Sequence, residues 1–65
     1  MPVLLNEARA SAIATRFFEQ LNSNVFVTKG VLDDYVWIIT LSIGTNNKIR
    51  QIKIDANDGK ILGYK

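Results

Sequence analysis

The sequence contains no cysteine and no histidine among its 65 residues. Without cysteine, the chain can form no disulfide and offers no thiolate as a metal ligand or nucleophile. Without histidine, it also lacks the Cys/His zinc sites, the Ser–His–Asp triad and the most common general base near neutral pH. An enzyme would need an unusual site built from Asp, Lys, Ser or Tyr alone. We therefore expect a non-enzymatic protein with no catalytic residues, no cofactor and no metal site.

Long apolar runs and a signal-like N-terminus are missing as well. Residues 1–7 have neither a basic region nor a long apolar stretch, and no run approaches the ~20 apolar residues of a membrane span. We expect a soluble, cytoplasmic protein with no membrane partner, although a chain trimmed of a signal or membrane segment would show the same pattern. The net charge of +2 is only a mild basic bias, which fits weak attraction to polyanions without requiring it.

The length allows a single domain spanning residues 1–65, because a second core could not be filled in so short a chain. The 48% hydrophobic and 22% charged content are those of an ordinary globular domain.

The first structural element predicted by the sequence is an amphipathic helix. Asn6 is a suitable N-cap, Glu7 places negative charge in the first turn, and Asn22 begins a run of turn formers that ends the helix. We expect the helix to begin near Glu7 and to end around Leu21 or Asn22. Its apolar stripe, at spacings of three and four, consists of Ala10, Ile13, Ala14, Phe17 and Leu21.

After the helix, β-branched and aromatic residues predict an antiparallel meander. The predicted strands are Val25–Thr28, which can continue past a bulge or bend at Gly30 to Leu32, then Tyr35–Ile43, Lys48–Asp55 and Lys60–Tyr64. In the longest strand the odd positions should face the helix and the even positions the other side. Ile49 is out of phase with Ile52 and Ile54, which indicates either a bulge or an edge position. The predicted fold class is α+β, with one N-terminal helix packed on a three- to four-stranded antiparallel meander.

The string Asp55-Ala56-Asn57-Asp58-Gly59-Lys60 follows an alternating strand, and Trp37 stands on the strand before it. With the alanine-containing helix, this arrangement resembles the PepSY domain family, whose members carry a helix and a meander ending in an Asp-Ala-x-x-Gly-Lys-like turn. The resemblance implies a binding and regulatory role, typically inhibition of peptidases, in proteins that are usually extracytoplasmic or attached to larger chains. This chain departs from the family pattern because it shows no signal or membrane segment. The departure weakens the inference of a peptidase-related role more than the inference of the fold. Trp37 and the ending 58–64 also look like a shorter form of gas-vesicle accessory proteins of the O type.

The strongest functional signal is the second face of the predicted sheet. A single helix can cover only one face, so Val36 and Ile38, with Phe26 alongside, suggest a partner surface. The predicted function is a protein-binding or regulatory module that uses this open face or a strand edge to bind a protein partner or a second copy. The predicted partner-binding residues are Phe26, Val36, Ile38, Arg50 and Lys53. The alternative is that Phe26, Val36 and Ile38 are scattered exposed apolar side chains, which are common.

A weak nucleic-acid-binding role is the alternative function. Its basic patch would consist of Lys48, Arg50, Lys53 and Lys60 with Tyr64 beside it. The other interpretation of these lysines is protection of a strand edge against aggregation.

Three further features have a functional and a structural interpretation. Trp37 could be a stacking platform for a ligand or the largest core residue. The Asp33-Asp34 pair could serve acid/base chemistry, and the Asp55 to Asp58 segment could contribute to a calcium loop. A turn accounts for both acidic segments. Asp33 and Asp34 are neighbours between two predicted strands, and the Asp55 to Asp58 segment lacks the spacing and the final Glu of a calcium loop.

Overall fold

The computed structural model describes residues 4–65 of the chain, so the first three residues of the predicted domain and of the N-terminal segment lie outside the described residues. One helix precedes four strands. The elements are α1 (Glu7–Glu19), β1 (Val25–Asp33), β2 (Val36–Ile43), β3 (Lys48–Asp55) and β4 (Ile61–Tyr64). The strands lie side by side in chain order, and each neighbouring pair is antiparallel. The prediction of an α+β fold with a helix on a meander is confirmed, with four strands in the sheet.

The start of α1 follows the sequence prediction. Asn6 has extended backbone angles, and its side-chain oxygen accepts a hydrogen bond from the Arg9 amide at 2.8 Å. This bond satisfies one of the amides that a helix start leaves without a partner. The acidic Glu7 lies in the first turn, where the helix dipole favours it.

The end of α1 differs from the prediction, because the helix stops at Glu19 and Leu21 lies beyond it. The Asn22 amide and side chain both donate to the Phe18 carbonyl, at 2.9 and 3.1 Å, and so close the last turn. Leu21 is therefore 81% exposed and was wrongly placed in the apolar stripe. Phe18, which the stripe omitted, is buried.

The core lies between α1 and the side chains of the sheet that face it. In β2, Ile39, Leu41 and Ile43 are buried, and Trp37 packs beside them, as the alternation predicted. The buried core residues are Ala10, Ala14, Phe18, Ile39, Leu41, Ile43, Ile52, Ile54 and Ala56. All the buried positions of β2 and β3 are on the side of α1.

The irregularity in β1 falls at a different residue from the one predicted. The β1–β2 register shifts between Val27 and Lys29, so Thr28 is the extra residue and Gly30 is not a bulge. Gly30 instead lies opposite Ile39, where a Cβ would be 2.7 Å from the Glu7 carboxylate. The missing side chain at Gly30 lets the start of α1 approach the sheet closely.

The out-of-phase position of Ile49 is explained by the short length of β4. The β2–β3 register contains no shift, and Ile49 pairs with Ser42. The β3–β4 ladder runs only from Ile54 to Ile52, with a further backbone pair between Gln51 and Lys65. The start of β3 is therefore an edge, which is one of the two predicted alternatives, and Ile49 is 61% exposed.

The β1–β2 turn departs from the prediction for Tyr35. This residue lies in the turn, is 60% exposed and does not face the helix as expected. Asp34 and Tyr35 have φ angles of 50° and 64°, the pattern of a two-residue turn that usually contains Asn-Gly. A side chain in this left-handed region costs roughly 1–2 kcal/mol per residue.

We predict that Tyr35→Gly raises the free energy of unfolding by about 1 kcal/mol, because glycine adopts a positive φ without strain. Urea titration followed by circular dichroism measures the change. Thr45→Gly is the control, since Thr45 lies in the β2–β3 turn without a positive φ, and it should not stabilise the protein. A lower stability for Tyr35→Gly would show that the turn stores no strain.

Candidate binding face

The face of the sheet that points away from α1 is called the open face. Paired residues of antiparallel strands point to the same side, so the even positions of β2 define it. Across β1, β2 and β3 its rows are Asp33, Val36, Asp55; Val31, Ile38, Lys53; Lys29, Thr40, Gln51; and Phe26, Ser42, Ile49. Gly63 and Lys65 extend the second and third rows. None of these residues is buried, so no described part of the chain covers this face.

Four of the five predicted partner-binding residues lie on the open face. Val36, Ile38 and Lys53 occupy its first two rows, with Ile38 directly opposite Lys53. Phe26 is in the last row, opposite Ser42, and is 64% exposed. The structure therefore brings three of these residues together and places Phe26 at the far end of the same surface.

Arg50 lies on the opposite side of the sheet, where it pairs with Leu41. Its guanidinium carbon is 5.7 Å from the centroid of the Phe18 ring, within the range of a cation–π contact. Its Nε donates to the Lys65 carbonyl at 3.0 Å. In this structure Arg50 covers the core and binds the residue that follows β4. It is separated from the other four predicted partner-binding residues.

Three exposed apolar residues were not identified from the sequence: Val31 and Ile49, which belong to the open face, and Leu62, the unpaired residue of β4 beside it. They are 41%, 61% and 52% exposed. Val31 escaped notice because the bulge at Thr28 reverses the alternation of β1, so Val31 points to the same side as Phe26. For Ile49, the one sequence signal that it faces away from the core was its irregular phase relative to Ile52 and Ile54.

The basic residues considered for nucleic-acid binding do not form one patch. Lys48 pairs with Ile43 and Arg50 with Leu41, on the side of α1, whereas Lys53 is on the open face. Lys60 lies in the turn before β4, and Tyr64 packs on Phe17 with 4.9 Å between ring centroids. The lysines that share the open face are Lys29, Lys53 and Lys65.

The acidic residues of the β3–β4 turn are bound to backbone amides. Asp55 accepts from the Asn57 amide at 2.7 Å, and Asp58 accepts from the Lys60 amide at 2.9 Å. Such side-chain bonds are what make Asp a turn former. The structure thus supports the turn interpretation, and residues 4–65 contain no cluster of three acidic side chains that could hold a metal ion.

A chain of three hydrogen bonds connects the segment before α1 to the sheet, and we call it the Trp37–Leu5–Ala56 linkage. The Trp37 indole donates to the Leu5 carbonyl at 2.7 Å, and the Leu5 amide donates to the Ala56 carbonyl at 2.8 Å. The Ala56 amide donates to the Tyr35 carbonyl at 2.9 Å, and Ala56 is fully buried. Trp37 is therefore a structural residue, which supports the core interpretation over a stacking platform.

Gly59 completes the same turn. Its φ is +79°, and an added Cβ would lie 3.2 Å from Leu5 and 3.3 Å from Ile13. The Asp-Ala-x-x-Gly-Lys string therefore forms a turn, and Leu5 and Ile13 pack against this turn.

These features define a small α+β domain in which the recognisable motif is structural and residues 4–65 leave one sheet face uncovered. The family model described as peptidase propeptide and YPEB domain, PepSY, matches residues 4–65, and the chain belongs to this family. Domains of this family are often regulatory or inhibitory protein-binding modules and are generally non-catalytic. Comparisons with curated proteins and with solved structures gave no match. Within residues 4–65, no helix is both long and apolar enough to cross a bilayer.

We predict that Trp37→Phe lowers the free energy of unfolding by about 2 kcal/mol. The change leaves the Leu5 carbonyl without its indole donor and removes part of a packed side chain. Urea denaturation followed by circular dichroism measures the effect. Tryptophan fluorescence cannot be used, because the substitution removes the only tryptophan. Tyr64→Phe, at a side chain that is 57% exposed, should change stability by less than about 0.5 kcal/mol. Equal effects of the two substitutions would contradict a special role for the indole.

The two glycines at either end of the last hairpin should respond in opposite ways to alanine. Gly59→Ala should cost about 2 kcal/mol, from a left-handed φ and contacts with Leu5 and Ile13. Gly63→Ala should leave stability unchanged or raise it by up to about 1 kcal/mol, since nothing lies within 4 Å of its added Cβ. Thermal unfolding of both variants provides the comparison, and a destabilised Gly63→Ala protein would refute the open geometry at that site.

Proposed function

We propose that this PepSY domain is a non-enzymatic regulatory module that binds a protein through its open face. The observation that carries the proposal is the group of apolar side chains on an uncovered surface. Phe26, Val31, Ile49 and Leu62 are each more than 40% exposed, and Val36 and Ile38 are half-buried. Val31, Val36 and Ile38 occupy adjoining rows, and the row of Lys29, Thr40 and Gln51 separates them from Phe26 and Ile49. Apolar surface gathered on one face is typical of an interaction site.

The size of the face is compatible with a modest interface. Strands of nine, eight, eight and four residues, about 4.8 Å apart and at about 3.4 Å per residue, present on the order of 500 Å². Covering this area on both partners buries roughly 1,000 Å², near the lower limit for a specific protein–protein contact. A regulatory contact that forms and dissociates falls in this range.

The strand edges provide a weaker docking surface than the face. The β1 edge is interrupted by the bulge at Thr28 and carries the exposed Lys29, and both features oppose the addition of another strand. The β4 edge is only four residues long. The face therefore has the greater capacity to bind, and its occupant is either a protein partner or a second copy of this chain.

The test is Ile38→Glu, which places a charge in the middle of the open face. The variant should retain the wild-type circular dichroism spectrum, because Ile38 is only half-buried, but should lose self-association or partner capture. Sedimentation equilibrium measures self-association, and affinity capture from a lysate of the source organism measures partner binding. Val36→Glu should act in the same way.

Leu21→Glu is the matched control, since it introduces the same charge at an apolar residue that is 81% exposed and lies off the sheet. It should bind as the wild type does. If the wild-type domain stays monomeric at high concentration and captures no protein, or if both glutamate variants on the face bind normally, the proposal fails. Binding of DNA or RNA at low salt would favour the alternative function, which stays a prediction.

A further inference from the structure

The open face contains a depression beside β4. It has a volume of about 250 Å³ and is lined by Gln51, Lys53, Leu62, Gly63, Tyr64 and Lys65. Gln51, Lys53, Gly63 and Lys65 belong to the open face by strand register, whereas the Tyr64 ring packs on Phe17 on the α1 side. The depression therefore lies where the proposed binding surface meets β4.

The depression exists because a glycine takes a position where a side chain would otherwise stand. Gly63 pairs with Lys53, and a Cβ built on Gly63 meets nothing within 4 Å. The register shifts between Lys53 and Ile54, which leaves Leu62 as the extra residue beside the gap. Gly63 therefore contributes only backbone to the lining, and the exposed Leu62 lines the depression beside it.

Two exposed lysines flank this gap. Lys53 stands opposite Gly63 in one row, and Lys65 pairs with Gln51 in the next row. The nearest acidic residue on β3 is Asp55, whose carboxylate is bound to the Asn57 amide at 2.7 Å. The depression thus combines positive charge with apolar contact, since the lysine stems and Leu62 provide aliphatic surface.

We propose, building on the function proposed above, that this depression receives a carboxylate side chain from an apolar segment of the partner protein. The aspartate or glutamate lies between Lys53 and Lys65, and its apolar neighbours contact Leu62 and Ile38. A phosphate backbone fits less well, because it needs a line of cations, and Asp33 and Asp55 occupy the first row of the same face. Charge complementarity thus favours an acidic polypeptide as the occupant.

The decisive variant is Gly63→Val, which fills the depression without disturbing the fold. The added Cβ enters open space, φ at Gly63 is outside the left-handed region, and a β-branched residue suits a strand. Lys53→Gln and Lys65→Gln remove the charges one at a time. Lys48→Gln is the control, since Lys48 pairs with Ile43 on the opposite side of the sheet.

The probe is a phage-displayed library of random dodecapeptides selected on the whole domain. We expect the selected peptides to combine Asp or Glu with large apolar residues. In titrations of the ¹⁵N-labelled domain, a selected peptide should shift the amide signals of Gly63, Lys53 and Lys65. Gly63→Val should weaken its binding at least tenfold, and each open-face Lys→Gln variant roughly two- to fivefold, whereas Lys48→Gln should bind as the wild type does.

A second peptide with Asp and Glu replaced by Asn and Gln separates this inference from the proposed function. Loss of binding by that peptide supports the carboxylate. Equal binding of the two peptides at the open face overturns the inference and leaves the proposed function standing. Peptides that bind elsewhere, a selection that yields none, or a single-stranded oligonucleotide that competes at Gly63 would each overturn the inference. The Ile38→Glu experiment tests the proposed function independently.

Discussion

One helix of 13 residues on a four-stranded sheet is the constraint on which the rest of the molecule depends. Such a helix is about 20 Å long and can shield only one side of the sheet. The buried side chains of β2 and β3 are accordingly all on that side. The other side has no cover within residues 4–65 and carries a mixture of apolar and charged residues. The core thus lies on one face of the strands, and the surface that we propose for binding lies on the other.

The residues that carry the resemblance to the family serve the covered side. Trp37, Ala56 and Gly59 fix the segment before α1 to the last hairpin through hydrogen bonds and close contact. None of them contributes to the open face. Membership of the PepSY family therefore goes with the architecture, whereas the binding residues that we propose, such as Ile38 and Lys53, lie outside this motif.

Local patterns were sufficient to predict the helix start, the alternation of β2 and the last turn, because each depends on residues close in sequence. Val36 and Ile38 could be assigned to the open face for the same reason. The bulge at Thr28 could not be predicted, since it arises from the pairing of two strands, and it hid the contribution of Val31. The orientation of Arg50 was missed because the irregular phase of Ile49 obscured the alternation of β3. The depression at Gly63 requires both a register shift and a missing side chain, which only the paired strands reveal.

The order of the strands bears on how the chain folds. Since each strand lies beside its neighbour in sequence, every pairing in the sheet forms by closing a short turn, which favours rapid folding. The contact between Leu5 and Ala56 is different, because it closes a loop of about fifty residues, which costs about 2 kcal/mol more in chain entropy than closing a short turn. We expect the hairpins to form first and the linkage at the helix start to close last. The open face would then be assembled before the domain has reached its full stability.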